Sequence, residues 1–408
     1  MKNYKLKSYQ KNAIEFALKH PKSALLLPTG AGKTLCTLLY LQVLNEPAIV
    51  IVPASVKEVW LDENKKFNLN LDIVTDCRAT GKILLVSYDW LKYNSEVLDD
   101  YNIIVCDEGH LIADTETDRY KNLSKTIRSK KRVLLLAGYP VENRLNEIFM
   151  LSLITDVLGK NYYAFLYRYF NVIKHQNHII KTIPKKGSFD LIINQIKDFV
   201  YIVDKSEVVP EDVKKETVII RFPLTELQRN IINQLVEFGS YCDDDMNIVC
   251  KNQLTVFSKV MQIISGFVYD TNNEQELYPI YLKCENPKLK ILQKIVDDRR
   301  NFLLWYLFDC EGEILKSFES RCRLSKIQSD SRGLNLQSYD FAIYFSMPLS
   351  GGMFMQSVDR LYRMGRIKDV ISIVLVPEGE FGTKLLQMLD RKQKLTKKFI
   401  DELLRVKV

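Results

Sequence analysis

Five short runs rich in Val, Ile and Leu punctuate the first third of the chain, at residues 24–27, 48–52, 83–86, 103–106 and 133–136. Each ends in a loop of small or charged residues and is followed by apolar positions at helical spacing. Strands buried on both faces need such uninterrupted runs, and parallel strands need helical crossovers, so the pattern predicts α/β structure with a parallel sheet. Residues 156–215 leave the theme and turn aromatic and Lys-rich (YYAFLYRYF, then IPKKGSF), which predicts a largely helical connector. Apolar runs resume at 218–222, 302–307, 341–345 and 371–376. With 408 residues, more than one core usually serves, the chain predicts two α/β domains, 1–155 and 216–408, on either side of a connector at 156–215.

Composition narrows the class further. Apolar residues make up 47% and charged residues 26%, and no run is long and apolar enough to span a bilayer. The opening MKNYKLKSYQ lacks the apolar stretch of an export signal, which points to a cytoplasmic location and no membrane partner. Eight cysteines without a CxxC pair, and four histidines without ligand spacing, argue against a disulfide framework or a structural metal. A net charge of +8 permits a polyanionic partner. That charge is spread: the first 155 residues carry 21 Lys and Arg against 18 Asp and Glu. A groove rather than a basic arm would have to hold nucleic acid.

Chemistry is most concentrated at LLLPTGAGKT, residues 25–34, where an apolar run meets a Gly-rich turn and a helix starting near Lys33. Thr29, Gly30, Ala31 and Gly32 can close backbone N–H groups around phosphates, and the helix N-terminus adds a favourable dipole. Lys33 would reach the β and γ oxygens, and Thr34 would bind Mg²⁺. Leu27 stands where the longer GxxxxGK[ST] pattern has glycine, so the match is to the shorter GxGK[ST] form. IIVCDEGH, residues 103–110, sets two carboxylates at the end of an apolar run. Asp107 suits the Mg²⁺ shell and Glu108 suits orienting and deprotonating an attacking water. ATP and Mg²⁺ are the cofactors these motifs imply. QSVDRLYRMGR, residues 356–366, offers Gln356, Arg360, Arg363 and Arg366 at spacings that place several on one helical face. An arginine delivered to the γ-phosphate can neutralise charge that develops during hydrolysis.

This order of motifs resembles superfamily 2 helicases, and more closely their Swi/Snf-like DNA translocase branch, across nearly the whole chain. LKSYQKNAI at 6–14 resembles the family's Q motif, which implies that Gln10 contacts adenine. IVPASVKEVW at 51–60 and VSYDWL at 86–91 resemble its nucleic-acid motifs, which implies Pro53, Ser55, Lys57 and Ser87 at the strand. LAGYPVEN at 136–143 resembles the motif linking ATP state to strand contact. SRGLNLQSYD at 331–340 resembles the fifth motif, placing Gly333 toward nucleotide and Asn335 and Leu336 toward nucleic acid. By the same resemblance Arg363 is the arginine finger and Arg360 its neighbour. The family implies two tandem RecA-like lobes with an ATP cleft between them, and 3′ to 5′ tracking on duplex or forked DNA, which one chain can perform as a monomer.

Departures from the family pattern touch coupling more than hydrolysis. Tyr139 stands for the usual Thr, Gly109 for the Ala of DEAH, and Arg366 for a usual Gln. Only 28 positions separate Trp305 from Gly333, which predicts a pared-down second lobe. No chromatin-reading module is recognisable, which points away from nucleosome remodelling. The abundance of Lys, Asn, Ile and Tyr fits an AT-rich, phage-like genome. An RNA helicase on the same engine, a catalytically silent nucleic-acid scaffold, and a P-loop kinase or transport ATPase stay open as other readings. Trp60 and Trp90 suit core packing better than base stacking, and the aromatic run at 162–170 suits a packing seam better than a wedge against duplex. Lys130, Lys131 and Arg132 suit phosphate contact or simple solvation equally.

Overall fold

All five runs of the first third become strands in the computed structural model, which describes residues 6–76, 81–112, 118–138, 145–175, 178–208, 213–269, 279–297, 299–330, 336–348, 351–362, 366, 368–387 and 390. They are β1 (Lys22–Leu26), β2 (Ala48–Val52), β4 (Ile83–Ser87), β5 (Ile103–Cys106) and β6 (Arg132–Ala137), with a two-residue β3 (Ile73–Val74) between β2 and β4. Residues 156–215 hold the expected helices, Tyr162–Tyr169 and Ser188–Ile196, but also strands. β7 (Phe170–His175) and β8 (His178–Pro184) form an antiparallel hairpin, because NVIK and HIIKTI are β-branched rather than helix-forming. β9 (Val200–Ile202) then pairs in parallel with β1, Ala24 opposite Val200. The resulting seven-stranded parallel sheet runs β3-β4-β2-β5-β6-β1-β9.

The aromatic run is a packing seam: Phe165, Leu166, Tyr169 and Phe170 are buried, and the Phe165 ring lies 5.1 Å from those of Phe149 and Tyr169. The chain divides into two units. Unit 1 takes Met1–Glu211, Ser350–Gly365 and Arg391–Val408, and unit 2 takes Asp212–Leu349 and Arg366–Asp390.

Unit 2 opens with β10 (Lys215–Phe222), followed by the hairpins β11 (Ser240–Cys242) with β12 (Asn247–Val249) and β13 (Phe267–Tyr269) with β14 (Pro279–Tyr281). β15 (Phe302–Tyr306), β16 (Cys322–Lys326), β17 (Phe341–Tyr344) and β18 (Val370–Pro377) complete it. Its parallel sheet has five strands, in the order β10-β18-β17-β15-β16. The short interval after Trp305 still holds a helix, Asp309–Leu315, and the edge strand β16.

Just past the ends of β15 and β17 lies a buried ionic cluster. Lys288, 1% exposed, donates to Ser265 Oγ at 2.9 Å and Ser346 Oγ at 2.7 Å. Both hydroxyls donate at 2.5 Å to Glu311 Oε1, which lies 3.7 Å from the ammonium. Glu311 Oε2 accepts from the backbone N–H groups of Leu307 and Phe308 at 2.7 and 3.2 Å, and the ammonium stands 4.1 Å from the Phe345 ring centroid. Burial pushes the Lys288 ammonium down to about 8, against the pull of Glu311. Among the described residues no helix is long and apolar enough to cross a membrane.

Candidate active site

Parallel strands end at one edge of their sheet, and ligands of such sheets bind beyond those ends. In unit 1 that edge gathers the loop after β1, the Pro53–Val56 turn after β2, Ser87 at the end of β4, Asp107 and Glu108 after β5, Gly138 after β6 and the segment after β9. Residues far apart in sequence, from the loop after Leu26 to the segment after Ile202, thus share one rim.

The loop after β1 has the backbone geometry that anion-receiving turns use. Gly30 and Gly32 are left-handed, with φ of +84° and +85°, which a side chain would resist. Gly32 is also the N-cap of the helix Lys33–Leu44 and has no side chain to satisfy its first N–H groups, which leaves them to a ligand. A Cβ on Gly32 would come within 2.6 Å of Gln10 Nε2, so a side chain there would have to displace the Gln10 amide. Gln10, expected at adenine, is buried and braces this loop: its Nε2 donates to Ala31 O at 2.9 Å while its Oε1 accepts from Lys7 N at 3.0 Å. Tyr9 donates its hydroxyl to the same Ala31 carbonyl at 3.4 Å. Lys33 Nζ donates to Leu27 O at 3.1 Å. A Cβ on Gly138 would lie 3.4 Å from Lys33 Nζ and 3.6 Å from Thr29 Oγ1, so the end of β6 roofs the lysine.

Both carboxylates are buried. Asp107 N donates to Ile51 O at 2.8 Å, its Oδ1 accepts from Glu108 N at 2.9 Å, and its Oδ2 accepts from Trp60 Nε1 at 3.2 Å. Tyr88 fixes the backbone by donating to Asp107 O at 2.7 Å. Glu108 adopts a φ of +51°, a left-handed conformation that costs a non-glycine residue on the order of 1 kcal/mol and aims two successive carboxylates differently. Burial pushes Asp107 up to about 6, the Glu108 carboxylate adds to the rise, and the Lys33 ammonium and the Trp60 indole oppose it.

These donors fit Mg²⁺. A magnesium ion of this kind takes one or two protein oxygens and draws the rest from phosphates and water. Asp107 keeps a lone pair on each oxygen beyond its two hydrogen bonds, and Thr34 opens the helix beside Lys33. No group of three or more His, Cys, Asp or Glu residues able to hold a metal exists among the described residues, and this coordination needs none.

Glycine at 109 proves neutral in space. A Cβ there would meet Leu135 Cβ at 3.5 Å and Leu136 O at 3.6 Å, which is ordinary contact. Gly109→Ala is therefore expected to keep hydrolysis within about twofold and to raise stability by about 0.4–1 kcal/mol by restricting the unfolded chain. Chemical denaturation read alongside ATP turnover checks both.

Sequence reading missed Lys205. Its Nζ donates to Thr29 O at 3.0 Å, lies 3.2 Å from the buried Asp359 carboxylate, and stands 5.5 Å from the Tyr362 ring centroid. One ammonium thus ties the phosphate loop to the helix Gly351–Leu361, whose last turn carries the buried Arg360. The signal was present: apolar Val200, Ile202 and Val203 precede Asp204-Lys205-Ser206-Glu207, where Asp204 and Glu207 form a capping box.

Other expected residues fall in different places. Pro53 is buried, Ser55 is exposed and Lys57 is half-buried at the start of the helix Lys57–Lys66. Ser87 is buried and caps the turn Tyr88–Leu91 by accepting from Trp90 N at 3.2 Å. Leu336 is buried in unit 2, while Gly333, Asn335, Tyr139 and Arg363 lie outside the described residues. Arg366 departs from the expected helical face, because the helix ends at Leu361. Its guanidinium instead donates to the carbonyls of Gln337, Tyr339, Asp340, Lys368 and Asp369, stapling two loops of unit 2. Lys130 pairs with Asp99 at 3.7 Å and Arg132 donates to Leu18 O at 3.3 Å, both around the start of β6, at the other end of that strand from the rim.

Known proteins resemble this chain in sequence. A family model described as the SNF2-related domain matches residues 9–270. The SWI/SNF-related matrix-associated actin-dependent regulator of chromatin subfamily A-like protein 1 of Xenopus laevis is 23% identical over 444 residues, covering 96% of this chain and 43% of its own length. The human DNA annealing helicase and endonuclease ZRANB3 is 22% identical, covering 96% of this chain and 40% of its own. The chain therefore spans about two fifths of the length of these curated relatives. Among solved structures, the Sulfolobus solfataricus SWI2/SNF2 ATPase core in complex with dsDNA aligns with a TM-score of 0.46 at 20% identity, covering 97% of this chain and 93% of that chain. With a family model matched over well more than half its length, the chain belongs to the SNF2-related family.

Proposed function

We propose that the chain is an ATP-dependent motor on DNA: a DNA-stimulated ATPase that tracks one strand 3′ to 5′ on duplex, forked or branched DNA, as a monomer in the cytoplasm, in replication, recombination or repair. The observation that carries the reading is the joint rim of unit 1, where Lys33 lies close enough to Asp107 to oppose the rise of its pKa and Gly138 closes over Lys33. ATP phosphates would lie against the N–H groups of residues 29–34, with Mg²⁺ held by Thr34 and Asp107. The metal would neutralise charge on the β and γ oxygens. Glu108 would orient and deprotonate the attacking water, and Arg360 and Arg363 would meet the charge that develops on the γ-phosphate. Gln10 would meet adenine, Gly333 the nucleotide, and Pro53, Ser55, Lys57, Ser87, Asn335 and Leu336 the DNA strand.

Steady-state ATP hydrolysis tests this directly, measured without nucleic acid and with single-stranded, duplex and forked DNA and with RNA. The expected result is stimulation by DNA that weakens as salt rises, with RNA a poorer activator. Lys33→Ala is expected to lower turnover on the order of a hundredfold or more, since it removes a preorganised charge from the γ-phosphate. Hydrolysis that no nucleic acid stimulates would sink the motor reading, and stronger activation by RNA would reassign the substrate.

A further inference from the structure

Trp60 sits in the segment expected to face nucleic acid, yet it is only 1% exposed and none of its ring is available to a base. A buried indole N–H must find an acceptor, and it has one hydrogen to give. Trp60 gives it to Asp107 Oδ2, at 3.2 Å, rather than to any backbone carbonyl nearby. The carboxylate is thereby clamped from two sides, by its neighbour Glu108 N on Oδ1 and by a residue 47 positions away on Oδ2. With both oxygens fixed, the lone pairs left for a ligand have set directions. Groups behind a metal ligand govern its orientation, and losing one typically weakens metal binding about 10- to 100-fold.

From this clamp we infer that Trp60 is a positioning residue for the metal site: its indole N–H aims the Asp107 carboxylate at the Mg²⁺ that accompanies the nucleotide. The inference rests on the nucleotide reading above. It also gives the helix Lys57–Lys66 a second task, because the element that presents Lys57 at its start holds the metal carboxylate one turn later.

The test is ADP binding by calorimetry, with and without Mg²⁺, to the full chain and to Trp60→Phe, which keeps an aromatic ring in the core but has no N–H. A second variant carries 3-benzothienylalanine at position 60, which replaces the N–H with sulfur at nearly unchanged shape and so removes the hydrogen bond alone. The expected result is metal-free ADP affinity within twofold of the parent in both variants, with the tightening produced by Mg²⁺ reduced about tenfold. If both variants keep the parent's full Mg²⁺ tightening, or lose affinity equally with and without the metal, Trp60 is only a core residue and the inference is overturned. If the parent itself binds ADP no better with Mg²⁺, the nucleotide-metal reading fails first and takes the inference with it.

Discussion

Asp107→Asn should make the ligand-free protein more stable at pH 7.5 while lowering ATP turnover on the order of a hundredfold or more. The carboxyl is almost fully buried and is pushed up from 3.8 to about 6, so the folded state holds its proton more tightly than the unfolded chain does. Stability from such a group is fully present below about pH 4 and is lost as pH rises through 6, where the buried carboxyl must ionise. An amide at 107 never ionises and keeps one oxygen to accept from Glu108 N or Trp60 Nε1, so at the cost of the other hydrogen bond it retains at pH 7.5 part of what the parent has lost. Two pKa units correspond to at most about 3 kcal/mol, of which about 1–3 kcal/mol should appear. Urea unfolding of parent and variant at pH 5.0 and 7.5 measures it: the two should converge at the lower pH and separate at the higher. An equal or opposite separation at pH 7.5 would show that the site carries no electrostatic strain.

Lys288→Met should cost unit 2 about 3–5 kcal/mol, because methionine fills the lysine's place but leaves the buried Glu311 carboxyl without its cationic partner. That is a large part of the stability a domain commonly has. Thermal unfolding followed by circular dichroism should show a markedly lower midpoint. Lys288→Met combined with Glu311→Gln keeps an acceptor for Leu307 and Phe308 N–H and removes the stranded carboxyl, so it should recover at least half of the loss. A double variant no better than the single one would assign the loss to packing instead.

Parallel strands buried on both faces were legible in the sequence because a run such as AIVIV admits little else, and the turn into the helix Lys33–Leu44 because closely spaced glycines take the left-handed conformation it uses. Side-chain aim was not legible. Nothing in EVW at 58–60 says that the indole N–H points at Asp107, since its partner is fixed by how β2 and β5 lie side by side. Lys205 was hidden by its aromatic surroundings, which mask a strand of only three residues. Arg366 read as one more basic residue of a helix, because the end of that helix at Leu361 has no strong stop signal before Gly365. The Lys288 and Glu311 pair joins two helices whose sequences each look amphipathic and ordinary.

Lys205 clasps Thr29 with one bond and Asp359 with another, and between those two residues the ribosome must make the whole of Asp212–Leu349. Unit 1 is thus begun first and finished late, its last described helix arriving after the main segment of unit 2 has been translated. A nascent or prematurely terminated chain that stops anywhere in that insertion owns the phosphate loop but lacks Asp359 and Tyr362. Synthesis order therefore withholds the finished Lys205 clasp from incomplete products, so a half-made chain cannot reproduce it on its own.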